Sequence, residues 1–585
     1  MHAKFLKRTG FVMFALMLAA CAAQSTGPTA TESAEESVVE TGRGLPEPTP
    51  PPAPPPPPGY QQVPSPNLSA PPAQMGALSR AGAPYAQTAP QPMPGEVDRD
   101  RYEDVEPNPV RQAAADPVST FSIDVDTASY SNVRRMLGEG RLPPRDAVRI
   151  EELINYFDYN YALPPNRERP FSTSVAMTPS PWAQGRTLLH IGLQGYDIAR
   201  RERPPLNLVL LIDVSGSMAP ENRLPLALQG FRMLIEQLEA RDRVSIAVYA
   251  GAAGAILDPT PGNDRARILA ALDNLHAGGS TAGGEGLRLA YALAERHFNA
   301  AAVNRVIIAT DGDFNVGIND PQQLQDFVSR KRETGIYLSV LGFGGGNYND
   351  ALMQRLAQNG NGVAAYIDTL AESRRVLSEE LNGALFPIAN DVKIQVEFNP
   401  ARVAEYRLIG YETRMLRRED FNNDRIDAGE IGAGHAVTAI YEITPVGART
   451  LNDPLRYQEG GASPAPSTAG EIAFLRIRYK LPGAGESRLI ERPVTNADAY
   501  PEIARAPEST RWAIAVAGYG QLLRGDAYLD ASYAWNDVIA LAQGARGRDE
   551  FGWRAEFIQL TRAAASSAAL LAARNAPRPE PRPMR

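Results

Sequence analysis

Between Leu206 and Ile367 the chain switches hydrophobic period in a fixed order, and that order leaves few folds open. Apolar runs of strand length occupy 206–212, 243–249, 304–310, 336–343 and 363–367, and helix-like stretches lie near 222–239, 264–275, 284–299, 320–334 and 349–358. Parallel neighbours need a crossover long enough for a helix, so the alternation predicts a doubly wound α/β unit, a mostly parallel sheet covered on both faces. A further helix over about 370–383 would close it.

On either side of this unit the period is two. Leu189, Ile191 and Leu193 alternate with His190, Gly192 and Gln194; Val392, Ile394, Val396 and Phe398 with Lys393, Gln395 and Glu397; Leu475, Ile477, Tyr479 and Leu481 with Arg476, Arg478 and Lys480. Such alternation predicts antiparallel sheet with one wet face. Because it occurs both before 205 and after 387, the α/β domain is expected to be inserted in an antiparallel β-sandwich. Residues 151–157 read as a helix, and beyond Ser509 the chain turns helical, with Trp512, Val516, Tyr519 and Leu523 on one stripe and Trp535, Val538 and Leu541 on another. These aromatics are expected in the core.

The N-terminus has another character. Lys4, Lys7 and Arg8 precede an apolar core, Phe11 to Leu18, and then Leu18-Ala19-Ala20-Cys21, which holds the only cysteine in 585 residues. The segment is too short to span a bilayer and has the layout of an export signal. It resembles a bacterial lipoprotein signal, which implies acylation of Cys21 and, with Ala22 following, an exported protein lipid-anchored in the outer membrane where two membranes exist. Residues 22–110 contain 21 of the 50 prolines, nine-residue run Pro50–Pro58 included, a composition for an extended tether and not for a core. The expected organisation is a signal peptide over 1–21, a disordered tether over 22–115, flanking helices and strands over 116–204, the α/β domain over 205–385, β-sandwich over 386–500, a helical region over 501–573 and a disordered tail over 574–585. One cysteine excludes a disulfide framework and a thiolate metal site. A net charge of −8 and a pI near 5.5 argue against nucleic-acid binding, which needs clustered Lys and Arg.

Chemistry concentrates at the end of the first α/β strand. In LeuLeuIleAspValSerGlySerMet, residues 210–218, an apolar strand runs into Asp213, Ser215 and Ser217. Burying such groups without partners costs about 1–3 kcal/mol each. Thr281, in GlyGlySerThrAlaGlyGly, and Asp311, ending ValIleIleAlaThrAspGly, lie at strand ends of the same sheet, where open α/β sheets gather their ligands. Two carboxylates and three hydroxyls form a hard-oxygen set suited to Mg²⁺ or Mn²⁺. Five side chains leave one of the six positions such a cation takes unfilled, so a sixth ligand from outside, ideally a carboxylate, would complete the set.

Asp213-x-Ser215-x-Ser217, Thr281 and Asp311 in this strand order resemble the metal-ion-dependent adhesion site of the von Willebrand factor type A family. The resemblance implies direct metal contacts from Ser215, Ser217 and Thr281, and contacts through water from Asp213 and Asp311. It also implies a protein partner offering an Asp or Glu carboxylate, and movement of the helix near 370–383 on capture. The flanking ThrPheSerIleAspValAspThrAlaSerTyr (120–130) and IleGlyAlaGlyHis (431–435) look like those of a bacterial envelope lipoprotein group.

Two further acidic motifs carry less. Asp124-Val-Asp126 has the paired aspartates of phosphoryl-transferring hydrolases, but no strongly apolar strand precedes it and the following threonine comes one place early. Asp420, Asn422, Asp424, Asp427 and Glu430 are spaced like a Ca²⁺ loop, with Arg425 in place of the turn glycine. No phosphate loop, nucleophile elbow or placed general base is visible. The chain therefore reads as a binding protein and not an enzyme, the alternatives being a metal-dependent hydrolase or a structural scaffold with a vestigial site.

Overall fold

Every residue of Leu206–Asp213 is buried, because this strand is central in a six-stranded sheet. The computed structural model describes residues 100–575 except 166, 280–282, 313–319, 347, 380–382, 384 and 454–469. The sheet order is Ala364–Ile367, Ile336–Phe343, Val303–Thr310, Leu206–Asp213, Arg243–Ala250, Ala252–Pro261. All neighbouring pairs are parallel except the last. Leu208, Leu210 and Ile212 pack with helices Leu224–Glu236 and Arg265–Asp273, while Val209 and Leu211 pack with helices Gly283–Arg296, Pro321–Glu333 and Asp350–Asn359. The chain leaves Leu206–Asp213 toward one edge and returns on its other side at Val303–Thr310. The carboxyl end of Leu206–Asp213 is thus the point of reversal, where a ligand crevice forms.

The flanks interleave into two antiparallel sheets. One has the order Arg111–Gln112, Val403–Ile409, Ala436–Pro445, Thr187–Gly195, Phe171–Pro179; the other runs Met415–Leu416, Val118–Ser122, Pro387–Phe398, Glu471–Lys480, Ser487–Thr495. Strands from before and after the α/β domain are direct neighbours: Ile191 lies opposite Ala439, and Phe121 opposite Ile394. Rings from both sheets meet between them, Phe398 against Tyr406 at 4.2 Å and Phe121 against Tyr441 at 6.3 Å between centroids. The α/β domain is an insertion in this sandwich. Helices Ala128–Gly138 and Ile150–Asn155 join the C-terminal helices Glu508–Arg524, Trp535–Gly544 and Trp553–Asn575 in a second core, with Phe157 5.2 Å from Trp512 and 5.6 Å from Phe557. Among the described residues no helix is long and apolar enough to cross a membrane.

Three details differ from the sequence reading. The edge strand Ala252–Pro261 was not anticipated; it follows a left-handed turn at Gly251 (φ 65°) and mixes exposed, half-buried and buried residues without alternation, so it carries no clean period. Residues 100–115, expected in the tether, are ordered. Asp100 pairs with Arg135 at 2.7 Å and accepts from the amides of Gly346 and Tyr348, and Asn108 donates to the Leu408 and Gly410 carbonyls. The closing helix expected over 370–383 is α-helical over Leu370–Arg374, widens to a π-turn at Arg375–Glu379, and is α-helical again at Gly383.

Candidate metal site

Asp213 ends the central strand fully buried, and its carboxylate is held from two sides. One oxygen accepts from the Ser215 amide at 2.9 Å, the other from the Thr310 hydroxyl at 3.3 Å. The chain then makes a short 3-10 turn, Gly216–Met218, that sets the Ser215 and Ser217 hydroxyls 3.0 Å apart, the first buried and the second half-buried. Asp311, 1 % exposed, follows the neighbouring strand and accepts from Arg223 Nη1 at 2.7 Å. The loop leading to Thr281 is stitched to the same turn, with Gly278 donating to the Val214 carbonyl at 2.7 Å and Gly216 to the Gly279 carbonyl at 3.0 Å. Gly279 has φ +95°, and a Cβ there would lie against Ala250. Thr281 itself lies outside the described residues.

This donor set fits a small hard cation. The Ser215 and Ser217 hydroxyls are hydrogen-bonded to each other at 3.0 Å, a separation that octahedral ligands at about 2.1 Å from Mg²⁺ also have along an edge. Burial pushes the Asp213 carboxyl up to about 6, with Asp311 adding to the rise while the Ser215 hydroxyl and amide and the Tyr249 hydroxyl oppose it. A cation needs the ionised form, so stabilisation by Mg²⁺ should be full at pH 7.5 and fade as pH falls through about 6. Thermal melts with and without Mg²⁺ across pH 5–8 check this; a shift constant over that range would contradict it.

Sequence reading missed three residues here: Thr310, Tyr249 and Arg223. Thr310 and Tyr249 carried no signal beyond lying in strands. Arg223 did carry one. It is the N-cap of helix Leu224–Glu236, where the helix dipole disfavours a cation and Ser, Thr, Asp or Asn is the usual choice. A buried arginine at that position has another purpose.

The other candidates do not assemble. Asp420 accepts from the Arg417 amide, Asp424 from Arg478 and Ser487, Asn422 from Arg478 at 3.5 Å, and Asp427 pairs with Arg332. Burial pushes the Glu430 carboxyl up to about 8, with Asp427 and Asp391 adding to the rise. Among the described residues no three or more His, Cys, Asp or Glu side chains are grouped to hold a metal. At 420–430 Asp424 and Asp427 are therefore taken by Arg478 and Arg332 and Asp420 by a backbone amide, so the five side chains do not converge as a Ca²⁺ loop requires. Asp124 and Asp126 are likewise bound by Arg414, at 2.9 and 3.2 Å, and serve the packing of the two flanks. Cys21 lies outside the described residues.

A parallel sheet with this loop at its switch point is a von Willebrand factor type A fold. Residues 207–379 match the family model for the von Willebrand factor type A domain, residues 96–190 that for von Willebrand factor, and residues 383–567 that for "Uncharacterized protein YfbK, C-terminal". The Escherichia coli K12 protein YfbK is 46 % identical over 466 residues, 79 % of this chain and 80 % of that one. The chain belongs to the YfbK family of von Willebrand factor type A proteins. Inter-alpha-trypsin inhibitor heavy chain H3 of Mesocricetus auratus is 24 % identical over 308 residues, 49 % of this chain and 32 % of that protein. Among solved structures, a von Willebrand factor type A protein from Catenulispora acidiphila matches 67 % of this chain and 89 % of its own, at 15 % identity and a TM-score of 0.37.

Proposed function

We propose that the chain is a cell-envelope lipoprotein that captures a protein partner through a divalent cation, Mg²⁺ or Mn²⁺, whose coordination the partner's Asp or Glu carboxylate completes. The observation that carries this reading is the pair of serine hydroxyls 3.0 Å apart beside two buried carboxylates at the reversal point of the sheet. Ser215, Ser217 and Thr281 would hold the cation directly, with Asp213 and Asp311 behind them. The bound ion supplies Lewis acidity toward an incoming carboxylate. Lipid on Cys21 anchors the molecule.

A metal-dependent hydrolase is less well supported. Hydrolysis would need a general base beyond Asp213 and Asp311, the two carboxylates that the cation itself requires. Affinity capture from envelope extracts tests the binding reading: the same partner should be recovered with Mg²⁺, lost with EDTA, and lost with the Ser215→Ala variant. Equal recovery in EDTA would refute it.

A further inference from the structure

We infer that Arg223 makes the site select for a carboxylate, by shifting the point of charge balance from the cation-loaded site to the site loaded with both cation and ligand. The inference rests on the metal-binding reading above. Asp213 and Asp311 bring two negative charges, and Arg223 bonded to Asp311 cancels one. A divalent cation alone then leaves the site one charge positive, and an external carboxylate brings it to neutral. Without Arg223 the cation alone would neutralise the two aspartates, and a carboxylate would arrive at a site with no charge to meet.

Arg223 is built into this position. It is 6 % exposed. Its Nη1 donates to Asp311 and to the Ser217 carbonyl, both at 2.7 Å, and its Nη2 donates to the Gly345 carbonyl at 2.8 Å. Gly344, at φ +71°, leaves space for the guanidinium stem, since a Cβ there would collide with Nε. The arginine thus touches a ligand-bearing loop on each side: the Asp-x-Ser-x-Ser turn through Ser217 and the end of the neighbouring strand through Asp311. It holds this place at the N-terminus of helix Leu224–Glu236, where the dipole acts against a cation. Its role is therefore not to support the helix.

In a buried setting of low effective dielectric a unit charge at this range is felt strongly. Cation and carboxylate should consequently bind with positive coupling, which is reciprocal by linkage. A neutral amide or hydroxyl ligand gains nothing from the excess charge, so Arg223 discriminates an acidic side chain from Asn or Gln. In this it is a positioning and specificity-determining residue.

Calorimetric titration of the full chain with Mn²⁺ at pH 7.5, alone and with acetate or acetamide as probes, tests the inference. In the wild type acetate should tighten Mn²⁺ binding and acetamide should not. Arg223→Met should take up Mn²⁺ about tenfold more tightly than wild type without acetate, and acetate should no longer help. Arg223→Lys, which keeps the charge, should stay within about threefold of wild type and retain the acetate effect. Wild-type affinity for Mn²⁺ in a folded Arg223→Met protein, or an equal acetate effect in both, would overturn the inference and leave the metal reading intact. If Arg223→Met does not fold, absence of any difference between acetate and acetamide on the wild type overturns it alone. No Mn²⁺ uptake by the wild type would overturn both.

Discussion

Replacing Arg134 by methionine is expected to destabilise the folded body by about 3–5 kcal/mol, the cost of leaving a buried ion pair without one partner. The side chain is 6 % exposed and meets three carboxylates: Asp368, Glu372 at 2.8 Å and Glu556 at 3.1 Å, with the Tyr156 hydroxyl at 3.0 Å. These come from distant parts of the chain. Arg134 is on a helix of the N-terminal flank, Asp368 and Glu372 follow the last strand of the α/β sheet, and Glu556 is on the C-terminal helix. Burial pushes the Glu372 carboxyl up, but Arg134 and Arg375 outweigh it and the group ends below its ordinary value. Glu372 therefore contributes stability that is present above the ordinary carboxylate range and lost as pH falls through its lowered value. Urea unfolding at pH 7 measures the effect. A loss below about 1 kcal/mol would mean that the three parts are not held through this arginine.

The second large effect is expected from Asp213→Asn, and it has two signs. Asparagine keeps the shape and can still accept from the Ser215 amide, as Asp213 does at 2.9 Å, so the turn should survive. Cation binding should fall about 100-fold or more, because one of two carboxylates facing the ion is gone. Yet the cation-free variant should be more stable than wild type at neutral pH. Burial raises the Asp213 carboxyl to about 6, so its contribution to stability is full below about 4 and lost as pH rises through 6. At pH 7 the wild type bears an ionised buried carboxylate and the variant does not, a difference of about 3 kcal/mol by linkage. Denaturation in EDTA at pH 7 and pH 4 separates the cases: the gain should appear at pH 7 and vanish at pH 4. A loss of stability at both would show that the carboxylate is well solvated or paired.

Much of this architecture could be read from the chain because its local patterns agree with the tertiary structure. The apolar runs at 206–212 and 304–310 correspond to Leu206–Asp213 and Val303–Thr310, because central parallel strands are buried on both faces and must be continuously apolar. The sandwich was legible from period-two strands on both sides of the insertion, though not which strand pairs with which, since Val118–Ser122 against Pro387–Phe398 is a contact across the whole inserted domain. Ala252–Pro261 escaped notice because an edge strand of small residues needs no pattern. The calcium spacing at 420–430 was misleading for an opposite reason: spacing says which carboxylates can meet, and nothing about Arg332 and Arg478, which reach them from other elements. The signal of Arg223 lies in its position at a helix start and not in the composition of the chain. A cation at a helix start contradicts a local rule, and such contradictions mark functional places.

Every role proposed for Asp213, Ser215, Ser217 and Asp311 requires these oxygens to bind a divalent cation. Titrating the full chain with Mn²⁺ at pH 7.5, with Asp213→Asn as the control, measures this directly. One saturable site per chain in the wild type, abolished in the folded variant, is the predicted result. No uptake by the wild type, or the same isotherm in both proteins, would contradict it.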